Sequence, residues 1–141
     1  MGIRILILLI ILSCFLSLSY PESCESINHG NPKLIDFSFN RKKITAKTGD
    51  EIQIGLETMG GTGYSWYADE LDRNFLQILE EGTKTVGRET ERIGGNPVVM
   101  FWRLKVLKTG ITTLKMNYYR IWEGKDKAIK HFEIEIHIVP S

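Results

Sequence analysis

The feature that most constrains this chain is a strict two-residue alternation of polar and apolar side chains. Glu51-Ile52-Gln53-Ile54-Gly55-Leu56-Glu57 sets Ile52, Ile54 and Leu56 on one face. Phe132-Glu133-Ile134-Glu135-Ile136-His137-Ile138 sets four apolar residues against three polar ones. Successive side chains of a strand point to opposite faces, so this period marks strands with one wet side. Residues 98–107 repeat it with Met100, Trp102, Leu104 and Val106, and residues 112–118 with Leu114, Met116 and Tyr118. Shorter strands are expected at 34–39, 44–47, 64–67, 75–79 and 83–87, and a single helical turn at 68–74. Turn-forming clusters separate them: Thr48-Gly49-Asp50, residues 59–63, Gly94-Gly95-Asn96-Pro97 and Lys108-Thr109-Gly110. No stretch sustains a helical period. Short strands punctuated by turns predict an all-β sandwich.

The N-terminus reads differently. Arg4 precedes an apolar run from Ile5 to Leu18, 14 residues broken only by Ser13, Cys14 and Ser17. A bilayer-spanning helix needs about 20 apolar residues, so the run is short for an anchor and right for a signal peptide. Ser17 and Ser19 are the small residues expected before a cut at Tyr20. The expected organisation is a signal peptide at 1–19, a flexible tail at 20–33 and one domain at 34–141. Removing the leader takes Cys14 with it and leaves Cys24 as the single cysteine. One thiol makes no internal disulfide, so the domain must stand on its core alone.

Several function classes are excluded early. The formal net charge is +1, with acidic and basic residues interspersed, and no basic stripe of a nucleic-acid binder is visible. No membrane partner is expected once the leader is cut. The three histidines, His29, His131 and His137, have no metal-ligand spacing, so no metal and no cofactor are expected. Cys24 with a distant histidine would make a poor dyad, because a nucleophile must be held beside its base. The pairs Glu80 and Glu81, and Glu89 and Glu91, read as solvated charges. Gly60-Gly61-Thr62-Gly63 lacks the lysine and the helix of a phosphate loop. No catalytic residue is assigned, and the chain is read as not an enzyme.

The loops carry the remaining signal. Met59-Gly60-Gly61-Thr62-Gly63-Tyr64-Ser65-Trp66 joins two strands, Arg92-Ile93-Gly94-Gly95-Asn96-Pro97 precedes another, and Tyr118-Tyr119-Arg120-Ile121-Trp122-Glu123-Gly124 follows a fourth. Trp66 and Trp102 sit among strand residues and are expected in the core. Trp122 lies between Arg120 and Glu123-Gly124-Lys125-Asp126, in a polar loop. An exposed Trp beside an Arg has the composition of a binding hot spot.

These loops resemble, in order, the three motifs of the chagasin family of cysteine protease inhibitors: N-P-T-T-G-Y/F, G-x-G-G and R-P-W. The counterparts here are Met59-Gly60-Gly61-Thr62-Gly63-Tyr64, Ile93-Gly94-Gly95 and Arg120-Ile121-Trp122. The resemblance implies an immunoglobulin-like β-sandwich with three binding loops at one end. It also implies that those loops form a wedge entering the active-site cleft of papain-like cysteine proteases, reversibly and without chemistry. The residues implied to bind are Gly60, Gly61, Thr62, Gly63 and Tyr64 in the first loop, Gly94 and Gly95 in the second, and Arg120 and Trp122 in the third. Gly63 is expected at positive φ, and Tyr64 has a structural reading as the base of its loop. The sequence departs from all three motifs: Met59-Gly60-Gly61 replaces Asn-Pro-Thr, Arg92 replaces the first glycine of the second motif, and Ile121 replaces the proline of the third. Two glycines in place of a fixed proline predict a looser first loop.

The expected protein is therefore a secreted or lumenal monomer that inhibits papain-like proteases. The alternative is a secreted immunoglobulin-like adhesion or recognition module with no protease target. An enzyme acting through Cys24 ranks far behind.

Overall fold

The structure, a computed structural model, describes residues 25–26, 34–85 and 98–141. The expected signal peptide, Cys24, His29, Gly94 and Gly95 lie outside the described residues. Among those described, nine strands form two sheets. They are β1 (Glu25–Ser26), β2 (Leu34–Ile35), β3 (Lys42–Lys47), β4 (Glu51–Thr58), β5 (Tyr64–Glu70), β6 (Leu76–Thr85), β7 (Val98–Val106), β8 (Gly110–Arg120) and β9 (Lys130–Val139). One sheet has the order β1-β3-β9-β8-β5, the other β2-β4-β7-β6. The long neighbours β4–β7, β6–β7, β5–β8 and β8–β9 are antiparallel, whereas β3 runs parallel to β9.

The alternation explains the layering. Ile52, Ile54 and Leu56 of β4 face inward with Trp102, Leu104 and Val106 of β7, and all six are buried. From the other sheet come Ile44 and Ala46, Trp66, Leu114, Met116 and Tyr118, and Phe132, Ile134, Ile136 and Ile138. Apolar residues of two inner faces thus make one core, and both tryptophans expected there are in it.

Four local expectations are corrected. The strand expected over 34–39 stops after Ile35, because the Asp36 carboxylate accepts from the Ser38 N–H at 2.8 Å and caps a short 3-10 turn, Phe37–Phe39. The helical turn expected over 68–74 is absent. Strand β5 runs on to Glu70, and a tight turn closes where the N–H groups of Phe75 and Leu76 bond the Asp72 carbonyl. The segments 75–79 and 83–85 belong to one strand, β6, broken by a bulge between Ile78 and Glu80. Its acidic centre is the wet edge of a sheet, with Glu80 paired to Arg103 at 3.4 Å, and not a loop. Within the segment read as a flexible tail, Glu25–Ser26 pairs in parallel with Ile44–Thr45.

Candidate functional site

Register gathers the first and third motif-bearing loops, and the strand ends at Thr85 and Val98, at one end of the sandwich. Strand β4 ends at Thr58, which pairs with Val98 at the start of β7, and Val98 pairs in turn with Thr85 at the end of β6. In the other sheet Tyr64, the first residue of β5, pairs with Arg120, the last of β8. The first loop (59–63) therefore crosses from sheet to sheet beside the third (121–129). Cross-links under the crossing hold the sheets in place: Trp66 Nε1 donates to the Glu57 carbonyl at 2.9 Å, and Met100 Sδ accepts from Ser65 Oγ at 3.2 Å.

Built up from its residues, the first loop is a tightly tied turn. Gly61 and Gly63 adopt φ of +80° and +77°, a region costly for residues with a Cβ. Thr62 Oγ1 donates to the Met59 carbonyl at 2.8 Å and closes the turn from within. The Tyr118 hydroxyl accepts from the Met59 N–H at 3.1 Å and lies 3.1 Å from Thr58 Oγ1. Tyr118 is itself a buried core residue, so the start of the loop is pinned to the core.

The third loop grips the first. Arg120 Nε donates to the Thr62 carbonyl at 3.1 Å, and its Nη1 meets Glu123 Oε1 at 3.0 Å. The guanidinium lies 4.5 Å from the centre of the Tyr64 ring, which stacks on Tyr118 at 5.4 Å. The Trp122 indole covers Gly63 so closely that a Cβ there would overlap its ring. Gly63 is therefore fixed twice, by its φ and by its neighbour. Further out, Lys125 Nζ bonds Glu70 Oε1 at 3.2 Å and ties the loop to β5.

Exposed apolar residues stand at this end beside the exposed charges of Glu123, Lys125, Asp126 and Lys127. Met59 is 70% exposed, Ile121 61% and Trp122 68%. The structure brings Gly60, Gly61, Thr62, Gly63, Tyr64, Arg120 and Trp122 to this end; Gly94 and Gly95 lie outside the described residues. Tyr64 is a half-buried base packed against the core, as its structural reading expected. Sequence reasoning missed Tyr118 and Glu123 as supports, and Met59 and Ile121 as exposed surface. The two exposed residues were signalled by being apolar where the motifs have Asn and Pro.

The chemistry available here is that of contact. Among the described residues no group of three or more His, Cys, Asp or Glu could hold a metal. The densest polar network lies on the outer face of the β5–β8–β9 sheet. There Asp69 accepts from Asn117 Nδ2 at 2.8 Å and from the Tyr119 hydroxyl at 3.1 Å, and His131 Nδ1 meets Asn117 Oδ1 at 2.7 Å. Burial, then the Asp69 carboxylate, push the Tyr119 phenol above its ordinary range. With Asn117 standing between Asp69 and His131, and no nucleophile in the network, this is scaffolding.

Comparison with known proteins agrees with this arrangement. The profile described as Chagasin family peptidase inhibitor I42 matches residues 45–136. Amoebiasin-2 of Entamoeba histolytica is 36% identical over 78 residues, covering 55% of this chain and 62% of that protein. The chain thus aligns with somewhat less than two thirds of that relative's length. Among solved structures, the cysteine protease inhibitor EhICP2 from Entamoeba histolytica superposes with a TM-score of 0.70 at 24% identity, over 80% of this chain and 100% of that one. The solution structure of Amebosin gives 0.58 at 21% identity, over 78% and 100%.

Proposed function

Because the chain belongs to the chagasin family of peptidase inhibitors, we propose that it is a reversible protein inhibitor of papain-like cysteine proteases and not an enzyme. The observation that carries this reading is the end of the sandwich described above. It presents Met59, Ile121 and Trp122 to solvent on two loops already tied together. An apolar knob on stiff loops suits insertion into a cleft, because few rotors are left to freeze on docking. An interface of about 800 Å² per partner is enough for stable inhibition when the loops are preorganised. In this reading residues 60–64 lie over the catalytic thiol of the protease, while Arg120, Trp122 and the segment holding Gly94 and Gly95 flank it.

The mechanism asks for no bond-making step. The main chain at 59–64 enters the cleft and escapes cleavage because the turn is held in a conformation unlike an extended substrate. The Thr62 carbonyl oxygen is also held by Arg120 within the inhibitor, which keeps it from turning to accept from donors of the protease. The purified protein assayed against papain or a cathepsin tests this: competitive, reversible loss of activity is expected, and Cys24→Ser should inhibit equally well. An adhesion module would leave the proteases untouched.

We extend the proposal to monomeric action and to export. The short apolar run and the small residues before Tyr20 support secretion, with a mature chain beginning at or near Tyr20. Among the described residues no helix is long and apolar enough to cross a membrane. Sequencing the N-terminus of the natural protein should find Tyr20; an intact Met1 in a membrane fraction would contradict export.

A further inference from the structure

We propose that Arg120 is a positioning residue, braced by Glu123, whose task is to hold the first loop in its docking shape and not to offer charge to the protease. This rests on the reading above that this end of the sandwich docks. A guanidinium has five N–H donors fixed in a plane, and two of its nitrogens here are engaged by the loops themselves. Nε bonds the Thr62 carbonyl at 3.1 Å, Nη1 bonds Glu123 at 3.0 Å, and the flat face lies over Tyr64. The Arg120 side chain is only about one third exposed, and its charge is matched by a neighbouring carboxylate. It therefore offers little unpaired charge to a partner. What it controls is the carbonyl directly before Gly63, the residue under the Trp122 indole.

The brace supplies stiffness to a loop whose Gly60 supplies none. The family motif has proline where this chain has Gly60, and glycine frees φ where proline fixes it. Here three side chains from β8 and the turn after it hold the loop: Tyr118 on the Met59 N–H, Arg120 on the Thr62 carbonyl and Trp122 over Gly63. The exposed apolar surface is then Met59, Ile121 and Trp122, and exposed charge at this end comes from Lys125, Asp126 and Lys127 and not from Arg120. Lysine cannot replace Arg120, because one ammonium on a flexible stem does not hold a carbonyl and a carboxylate in a fixed fork.

Arg120→Lys, Glu123→Gln and Glu123→Ala test this with two readouts, amide hydrogen exchange of residues 59–64 in the free protein and the inhibition constant against papain. Arg120→Lys keeps the charge, yet it should speed exchange at Met59 and Tyr64, the loop amides that donate hydrogen bonds, and raise the inhibition constant about tenfold, the scale of a lost charge-assisted bond. Glu123→Ala should move both readouts in the same direction. Glu123→Gln, which keeps an acceptor, should stay within about twofold of wild type. Gly60→Pro placed in the Arg120→Lys background should recover several-fold of the lost affinity, while in the wild type it should change affinity less. Wild-type inhibition by Arg120→Lys, or unchanged exchange in it, overturns the proposal. Equal effects of Gly60→Pro in both backgrounds would also overturn it. Faster exchange in Arg120→Lys together with a wild type that inhibits no papain-like protease would uphold the brace and overturn the docking function instead.

Discussion

Three tryptophans separate by position alone. Trp66 and Trp102 are almost wholly buried, and Trp66 spends its indole N–H on the Glu57 carbonyl. Trp122 rests one side of its ring on Gly63 and gives the rest to solvent. The same substitution should therefore have opposite consequences. Trp122→Ala should weaken protease binding by about 2 kcal/mol or more with little change in unfolding midpoint, whereas Trp102→Ala should cost roughly 3–5 kcal/mol of stability. Inhibition constants and denaturant midpoints for both variants check this. Gly63→Ala is the companion case. Its Cβ would enter the Trp122 ring, and its φ of +77° would be strained. It should cost affinity by displacing Trp122, even though alanine is a small residue. The positive φ at Gly63 and the exposure of Trp122 were legible in the sequence, because a turn glycine tolerates left-handed backbone and a Trp flanked by charges has no apolar face to join. The contact between them was not, since they stand far apart along the chain and only the β5–β8 pairing brings them together.

Strand β8 organises the site. Its inner face gives Leu114, Met116 and Tyr118 to the core, and its end gives Arg120 to the loops. The sequence showed β4, β7, β8 and β9 plainly, because in each an apolar residue recurs at every second position. It blurred β6, where a bulge and two adjacent glutamates interrupt the period, and it extended β2 through a turn that one Asp36 hydrogen bond creates. Tyr118 shows a deeper limit: alternation placed it in the core, and nothing local announced that its hydroxyl reaches the first loop. The β5–loop tie has its own pH signature. Hydrogen bonds from Lys115, then Lys125, hold the Glu70 carboxyl below its ordinary value of 4.5. A carboxyl lowered on folding stabilises the fold fully above its unfolded value, and that support is lost as pH falls through the lower folded one. The thermal midpoint should therefore drop on acidification below about pH 4.5. Glu70→Gln should lower the neutral-pH midpoint slightly and flatten that part of the acid profile. An unchanged acid profile in Glu70→Gln would show that the tie contributes nothing to stability.

On the scale of the molecule, the fold is a rigid mount with a small working surface. The core runs through both sheets, and the cross-sheet bonds of Trp66 and Met100 lie directly beneath the first loop. Loop positions are thus set by packed strands and not by a disulfide. The all-β class followed from the sequence because a half-buried sheet needs period two. The pairing of one loop's glycine with another loop's indole depends on sheet order, which one sequence does not state. The central claim is that this end of the sandwich plugs a protease cleft by shape alone. Calorimetric titration of papain whose catalytic cysteine carries a small alkyl cap tests it most directly. The account predicts one-to-one binding to the capped enzyme, weaker than to the free enzyme by no more than about 2 kcal/mol, the scale of one displaced hot-spot contact. Binding that vanishes with the cap, or a covalent adduct with the uncapped enzyme, would contradict it.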